Sequence, residues 1–312
     1  MPLKITIGIA TWNRCDLLRQ TLEAMTNLRI PADVTWEILV CDNNSTDGTK
    51  EVVESMSSRL PITYLFEVKQ GLAHAHANID KNASGDWLFI TDDDVLVEPD
   101  WIEAYVVAIR RYPDVGFLFG QILPWLTKPI SKRAQFLLDE FPWVNALKYI
   151  EKDCPSDGSP GKLPHGANMA FRRDALKEVG FDASRGLFGD KRVGGEDTML
   201  GLGMLSKGYR GWLVKDAKVK HYIHHHRLNL RWFWTWNEAA GEARCEEEGP
   251  APRGRFGHAW GWRLIGKRLF LACRHWFFDR KKAYELIGDA ARWRGYLKAS
   301  ADATKKPASP IA

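Results

Sequence analysis

Short apolar runs alternate with polar, helix-period segments over the first 120 residues. Lys4–Thr11, Trp36–Asp42, Ile62–Glu67 and the run "WLFITDDD" from Trp87 read as strands. Between them Cys15–Leu28, Thr49 to about Ser58 and "GLAHAHANIDKNA" (71–83) read as helices. This alternation predicts an α/β protein of right-handed βαβ units, its mostly parallel sheet flanked by helices on both faces. Asp42 and Asp92–Asp94 then fall at the carboxyl ends of strands, the edge at which open α/β sheets bind ligands.

Beyond Trp101 the rhythm loosens. Trp101–Tyr112 reads as a helix, "VGFLFGQILPW" (115–125) as a strand, and the Gly/Pro/Ser-rich Lys152–Gly166 as a loop. A strand and helix follow in "ANMAFRRDALKEVG" (167–180), then a Gly-rich loop entering a helix near Glu196, then a strand from Trp212 that closes at His221. Apolar positions 262, 265, 269, 273, 276 and 277 recur at helical spacing, with Arg263, Lys267, Arg268 and Arg274 between them. That pattern predicts a basic amphipathic helix.

Charge sharpens the division. Residues 1–249 carry 30 Lys/Arg and 35 Asp/Glu, whereas residues 250–312 carry 14 and 4. The extension is therefore basic, and it holds several of the 14 tryptophans. Nucleic-acid binding, a packed helical appendage and docking on an anionic membrane all fit a basic, aromatic segment. No nucleic-acid motif is present, so no nucleic-acid partner is expected. Trp, Lys and Arg favour the headgroup region, which makes the membrane surface the preferred reading. No window holds 18 consecutive apolar residues, so no span is predicted. Five scattered cysteines without a CxxC suit reduced thiols, and the expected place is the cytoplasm, with peripheral attachment to the inner face of the membrane.

Three adjacent carboxylates at the end of an apolar strand repel one another, which makes sense if a cation shares the site. The D-x-D spacing of Asp92 and Asp94 suits Mg2+ or Mn2+, cations that bridge to phosphates. Acids that open a helix, as in "GGED" (194–197), often do no more than complement its dipole. Behind a Gly pair and facing a metal-bound substrate, one of them could serve as a general base. His221, 24 residues after Asp197, could complete the metal site, whereas the tract His224–His226 rarely converges on one ion.

The ordered motifs "TWNR" (11–14), "VCDNNSTDGT" (40–49), "QGLAHAHAN" (70–78), "FITDDD" (89–94), "GANMAFRR" (166–173), "GGED" (194–197) and "VKHYIHHHRL" (219–228) resemble the family 2 glycosyltransferases of the GT-A fold. The resemblance covers about residues 3–240. It implies an inverting transferase that uses a nucleoside-diphosphate sugar, UDP- or GDP-linked, with Mn2+ or Mg2+. The acceptor would be a saccharide or lipid-linked hydroxyl, and the setting cell-surface polysaccharide or glycolipid synthesis. By the same resemblance Thr11, Asn13 and Arg14 border the nucleotide, and Asp42 accepts hydrogen bonds from the base. Asp92 approaches the ribose and, with Asp94 and His221, the metal; Asp93 belongs with the nucleotide-binding residues, and Asn168 lies near the sugar or diphosphate. Asp197 is the base, Glu196 its acidic neighbour, and Arg227 lies near the diphosphate.

One motif departs: His76 stands where the family usually has Arg, and Ala77 where it has Asn. His titrates near neutrality while Arg does not, so the donor contact at this position differs. A glycosyltransferase domain is expected over residues 1–225, its nucleotide-binding half about 1–120 and its acceptor half about 121–225, followed by a helical basic extension over 226–312. Two alternatives remain at this level. A sugar nucleotidyltransferase would carry a Gly-rich phosphate loop after the first strand, and "GIATWNR" has one Gly. A non-catalytic nucleotide- or carbohydrate-binding module would not need both "DDD" and "GGED".

Overall fold

The computed structural model describes residues 2–159, 161–181, 186–188, 191–193, 196–250 and 257–303. In chain order it contains β1 (Leu3–Thr11), α1 (Cys15–Met25), β2 (Val34–Asp42), α2 (Thr49–Ser55), β3 (Ile62–Phe66), α3 (Leu72–Asn82), β4 (Trp87–Asp92), β5 (Val95–Val97), α4 (Trp101–Arg111) and β6 (Val115–Trp125). There follow α5 (Lys132–Glu140), β7 (Cys154–Ser156), β8 (Met169–Arg172), α6 (Arg173–Val179), β9 (Gly186–Phe188), β10 (Lys191–Val193), α7 (Glu196–Ser206), β11 (Arg210–Tyr222), α8 (Leu230–Glu248), α9 (Gly257–His275) and α10 (Arg280–Ala303).

The main sheet runs β3-β2-β1-β4-β8-β6-β11-β5, with β7 added against β11, while β9 and β10 form a separate antiparallel pair. β1 to β4 are mutually parallel, and β8 is antiparallel to both β4 and β6. The order 3-2-1-4 reverses direction between β1 and β4, which makes that edge the topological switch point. The apolar runs in the strands are buried from both sides: Ile5, Ile7, Ile9, Leu88, Phe89 and Ile90 are at most 1% exposed. α1 buries Leu18, Leu22 and Met25, spaced to fall on one face. α4 inserts Trp101 and Tyr105 edge-on against Phe89, with ring centroids 5.7 and 5.0 Å away.

The chain divides into two compact units, 1–129 with 146–223 and 130–145 with 224–312. The segment 130–145, expected in the first domain by its place in the sequence, thus belongs with the C-terminal helices. Leu137, Phe141 and Val144 bury with Phe233, Ala272 and Tyr284 in one cluster. α8 and α10 approach closely, since a Cβ at Gly241 would overlap the Arg292 carbonyl and one at Gly295 the Glu238 carbonyl. The single basic helix expected from about Trp262 onward is two helices. Asp279 breaks it by capping α10, accepting from the Lys282 N–H at 2.9 Å.

Candidate active site

The register of the parallel strands sets the site. Thr11 pairs with Asp42 and Ala10 with Asp92, so the ends of β1, β2 and β4 present their polar residues side by side. Two asparagines in the left-handed region, Asn13 (φ 52°) and Asn44 (φ 68°), turn the loops that leave β1 and β2. Asn13 ties those loops together, donating its N–H to Ser45 Oγ and accepting from the Thr46 N–H, both at 2.8 Å. Asp42 is buried, accepting from the Ser45 N–H and the Tyr64 hydroxyl at 2.8 Å each. A carboxylate has about four acceptor positions, so capacity for a base donor remains.

β4 ends at Asp92, Asp93 and Asp94 form a turn, and β5 leaves to pair antiparallel with β11. That pairing sets Val95 beside His221 and brings His221 Nε2 to 3.4 Å from Asp94 Oδ1. Asp93 faces the scaffold, accepting from the Thr11 hydroxyl at 2.8 Å and from Arg14 Nη1 at 3.0 Å. The same guanidinium nitrogen reaches Asp94 Oδ2 at 2.9 Å. Asp92, Asp94 and His221 each offer one ligand atom, all within 4.8 Å of one another. Burial first, then the charges of Asp94 and Asp93, hold the Asp92 carboxyl well above its ordinary range, against the pull of His76 and Arg14. Burial likewise raises Asp93, with Arg14 opposing and Asp94 adding to the rise.

A carboxyl raised in this way binds its proton more tightly folded than unfolded. Its contribution to stability is present at low pH and is lost as pH rises from the ordinary carboxylate range towards neutrality. A divalent cation would relieve that penalty at neutral pH and must displace protons at acid pH. Mn2+ should therefore raise the unfolding midpoint near neutrality, and the rise should shrink as the pH is taken below about 5.5. Scanning calorimetry with and without Mn2+ across pH checks this, and a pH-independent shift would place the ion elsewhere.

Asp197 enters from the first turn of α7. Its Oδ1 accepts from the Thr198 N–H at 2.8 Å; its Oδ2 accepts from the Gly166 N–H at 2.8 Å and lies 3.1 Å from His165 Nδ1. Burial pushes its pKa up, but the His165 hydrogen bond and charge, with the two N–H donors, outweigh burial and hold it low. A Cβ built on Gly166 would lie 3.9 Å from Asp197 Oδ2 and 4.0 Å from Asp92 Oδ1, so both carboxylates approach one point beside this glycine. The loop before it is pinned by Lys148, whose ammonium donates to the carbonyls of Leu163 (2.7 Å) and Gly161 (3.0 Å). Burial lowers that ammonium to about 8.

The family described as glycosyl transferase family 2 matches residues 6–180. The chain belongs to this family. A glucosyl-dolichyl phosphate glucuronosyltransferase of Haloferax volcanii is 23% identical over 242 residues, 74% of this chain and 75% of that protein. The succinoglycan biosynthesis protein ExoM of Rhizobium meliloti is 25% identical over 242 residues, 74% of this chain and 70% of that protein. Among solved structures, the mannosyltransferase PcManGT from Pyrobaculum calidifontis, in complex with GDP-Man and Mn2+, aligns with a TM-score of 0.56 at 20% identity, covering 96% of this chain and 85% of that one. S. aureus TarS 1–349 in complex with UDP-GlcNAc aligns at 0.53 and 12% identity, covering 97% and 92%. The fold is GT-A, and the protein is a glycosyltransferase enzyme rather than a nucleotidyltransferase or a silent binding module.

In this family 2 glycosyltransferase the edge gathers Thr11, Asn13, Arg14, Asp42, the three aspartates and His221. His76, in α3, is buried against Phe181 with ring centroids 5.2 Å apart, and its charge acts on Asp92. Asn168, expected beside the sugar or diphosphate, has its side chain turned into the interior. It is fully buried; its Oδ1 accepts from Trp101 Nε1 (2.8 Å) and the Tyr105 hydroxyl (2.7 Å), and its Nδ2 donates to the carbonyls of Gln121 (2.8 Å) and Ala217 (2.9 Å). β11 carries three residues, Lys215–Ala217, that have no partner on β6, and the Asn168 amide holds that bulge. Nothing of the amide is left for a donor. Gly120 is required beside it, since a Cβ there would overlap the Ala217 carbonyl.

Arg227 lies in the second unit, its guanidinium 4.9 Å from the centre of the Trp232 ring. Glu196 opens α7, while its side chain and Gly194–Gly195 lie outside the described residues. His165 and Lys148 carry no motif that marks them. The one clue to His165 is its place directly before "GANMAFRR". Replacing His165 with Ala removes a donor from Asp197, so the acidic limb of the kcat profile should move to higher pH and the rate recover above it. Gln, which keeps a donor, should restore the limb towards its original place. An unmoved limb in the Ala variant would leave His165 without this effect.

Proposed function

We propose that the enzyme is an inverting, metal-dependent glycosyltransferase that moves a sugar from a nucleoside-diphosphate donor to an acceptor hydroxyl. The observation that carries this reading is that carboxylate oxygens of Asp197 and Asp92 approach the same point beside Gly166. A base and a diphosphate-side carboxylate thus face one space. The nucleotide would lie along the loops after β1 and β2, its base towards Asp42 and its ribose towards Thr11 and Asp92. Two carboxylates and an imidazole form a donor set that suits Mn2+, or Mg2+ with retained waters. Held by Asp92, Asp94 and His221, such a cation would supply positive charge to the departing diphosphate.

The chain's own groups do the rest. Asp197 takes the proton of the acceptor hydroxyl as its oxygen bonds to the anomeric carbon, and the bond from that carbon to the phosphate oxygen breaks on the opposite face. Three N–H donors keep Asp197 ionised and aimed. Arg14, bridging Asp93 and Asp94, fixes the carboxylates in place.

GDP-Man in one neighbour and UDP-GlcNAc in another support a GDP- or UDP-sugar as donor. The names of the curated relatives support a saccharide or lipid-linked acceptor, and polysaccharide or glycolipid synthesis as the setting. Among the described residues no helix is long and apolar enough to cross a membrane. A lipid-linked acceptor would bring the enzyme to the inner membrane face from the cytoplasm.

Thermal unfolding with UDP, GDP, dTDP, CMP and ADP, each with Mn2+ or with chelator, tests the donor site. A nucleotide at a hundred times its Kd adds about 2.7 kcal/mol, a shift of several degrees for a chain of this size. One nucleotide should produce a shift that chelator abolishes. No shift with any of them would overturn the reading.

A further inference from the structure

Helix α9 has an outward face that the second unit does not cover. Successive residues advance about 100° around a helix. On that wheel Leu269, Trp262, Cys273 and Phe270 share one arc, with Arg263, Arg274 and Lys267 on the arc beside it. Ile265 and Ala272 lie on the opposite side, 5% and 3% exposed, and Ile265 packs with Leu297 of α10. Trp262 is 52% exposed and Phe270 64%, while Phe277 and Phe278, in the turn after the helix, reach 83% and 91%. Arg263, Lys267 and Arg274 are exposed, and among the described residues none of them is paired with a carboxylate. From Gly257 to His275 there is no Asp or Glu.

Large aromatic side chains left in water at this density mark a contact surface. Its charge selects the partner. A second copy docking symmetrically would set three cations against the same three, with no acid on the helix to offset them. Nucleic acid would engage the cations but leave Leu269, Phe277 and Phe278 in water. A bilayer accepts both arcs, apolar rings at the acyl boundary and Arg/Lys among anionic phosphates.

We propose that the outward face of α9, with Phe277 and Phe278 beyond it, lies in the headgroup region of an anionic lipid bilayer. This contact shares with the proposed function only the expectation of a lipid-linked acceptor. Vesicle binding is read without donor or acceptor, so either can fail alone.

The test is co-sedimentation of the full chain with phosphatidylcholine vesicles, with and without phosphatidylglycerol. Binding should need the anionic lipid and collapse in about 0.5 M NaCl. The variant R263Q/K267Q/R274Q should bind roughly a hundredfold more weakly. F270S/F277S/F278S should bind at least tenfold more weakly with an unchanged unfolding midpoint, since all three side chains are exposed. With Cys15 and Cys154 replaced by Ser, a polarity-sensitive fluorophore on Cys273 should brighten and shift blue on anionic vesicles. Equal binding to neutral vesicles, binding unaffected by either triple variant, or an unresponsive Cys273 probe would overturn the proposal. So would a dimer or a nucleic-acid complex that forms through this face while vesicles are ignored.

Discussion

Asn in place of Asp197 should lower kcat for sugar transfer by roughly 10²–10⁴-fold, the usual contribution of a positioned proton acceptor. Nucleotide and Mn2+ binding should change little, because Asp197 is not part of the Asp92, Asp94 and His221 group that offers metal ligands. The substitution carries its own structural cost. Asp197 is surrounded by N–H donors from Gly166, Thr198 and His165, and an amide can offer an oxygen to only one side. One donor is left facing an NH2, at about 1–3 kcal/mol. Single-turnover rates, paired with nucleotide titration by calorimetry, separate the two effects. Full transfer activity would remove Asp197 from its role, and loss of nucleotide binding would place it on the donor side.

Asn168→Ala should be among the most destabilising single changes in the first unit. It strands the Trp101 indole N–H and the carbonyls of Gln121 and Ala217 in the interior, and leaves the Tyr105 hydroxyl only the residue 168 backbone carbonyl, at 3.2 Å. At about 1–3 kcal/mol for each stranded group, with partial relaxation, the loss should be roughly 3–6 kcal/mol. Asn168→Asp is the sharper variant, because it keeps the shape and the two donors to Oδ1 but turns an oxygen towards two carbonyl oxygens. It should be similarly damaging at neutral pH. If denaturant melts of both variants match the parent, the amide does not hold the bulge of β11. If instead stability is kept and nucleotide affinity falls, the residue does contact the donor.

Asn168 also shows what the sequence could and could not disclose. Its motif was legible, and so were the first four strands, because apolar runs and intervening helical periodicity are local properties. Which way the side chain points depends on three unmatched residues in a strand some 50 positions later, which no local pattern reveals. β5 and β7 are three residues each and exist as strands because β11 pairs with them. The Asp92–Asp94–His221 group was readable from residue chemistry; His165 was not, because no motif marks it and only the fold brings it to Asp197. In the C-terminal helices the spacing of apolar residues was correct, but periodicity does not say which of two apolar sides meets protein. Ile265 is packed and Trp262 is not.

The excursion of residues 130–145 into the second unit has a consequence in time. Leu137, Phe141 and Val144 close against Phe233 and Tyr284, which leave the ribosome roughly 100–150 residues later. At ordinary synthesis rates that is a wait on the order of 5–30 s, during which the apolar face of α5 (Ala134, Leu137 and Leu138) stays uncovered. A chain interrupted near residue 223 would hold every strand of the main sheet and still display that uncovered helix in its middle. Such fragments should be found with chaperones or in aggregates, and the helical unit cannot be released from this enzyme by a single cut.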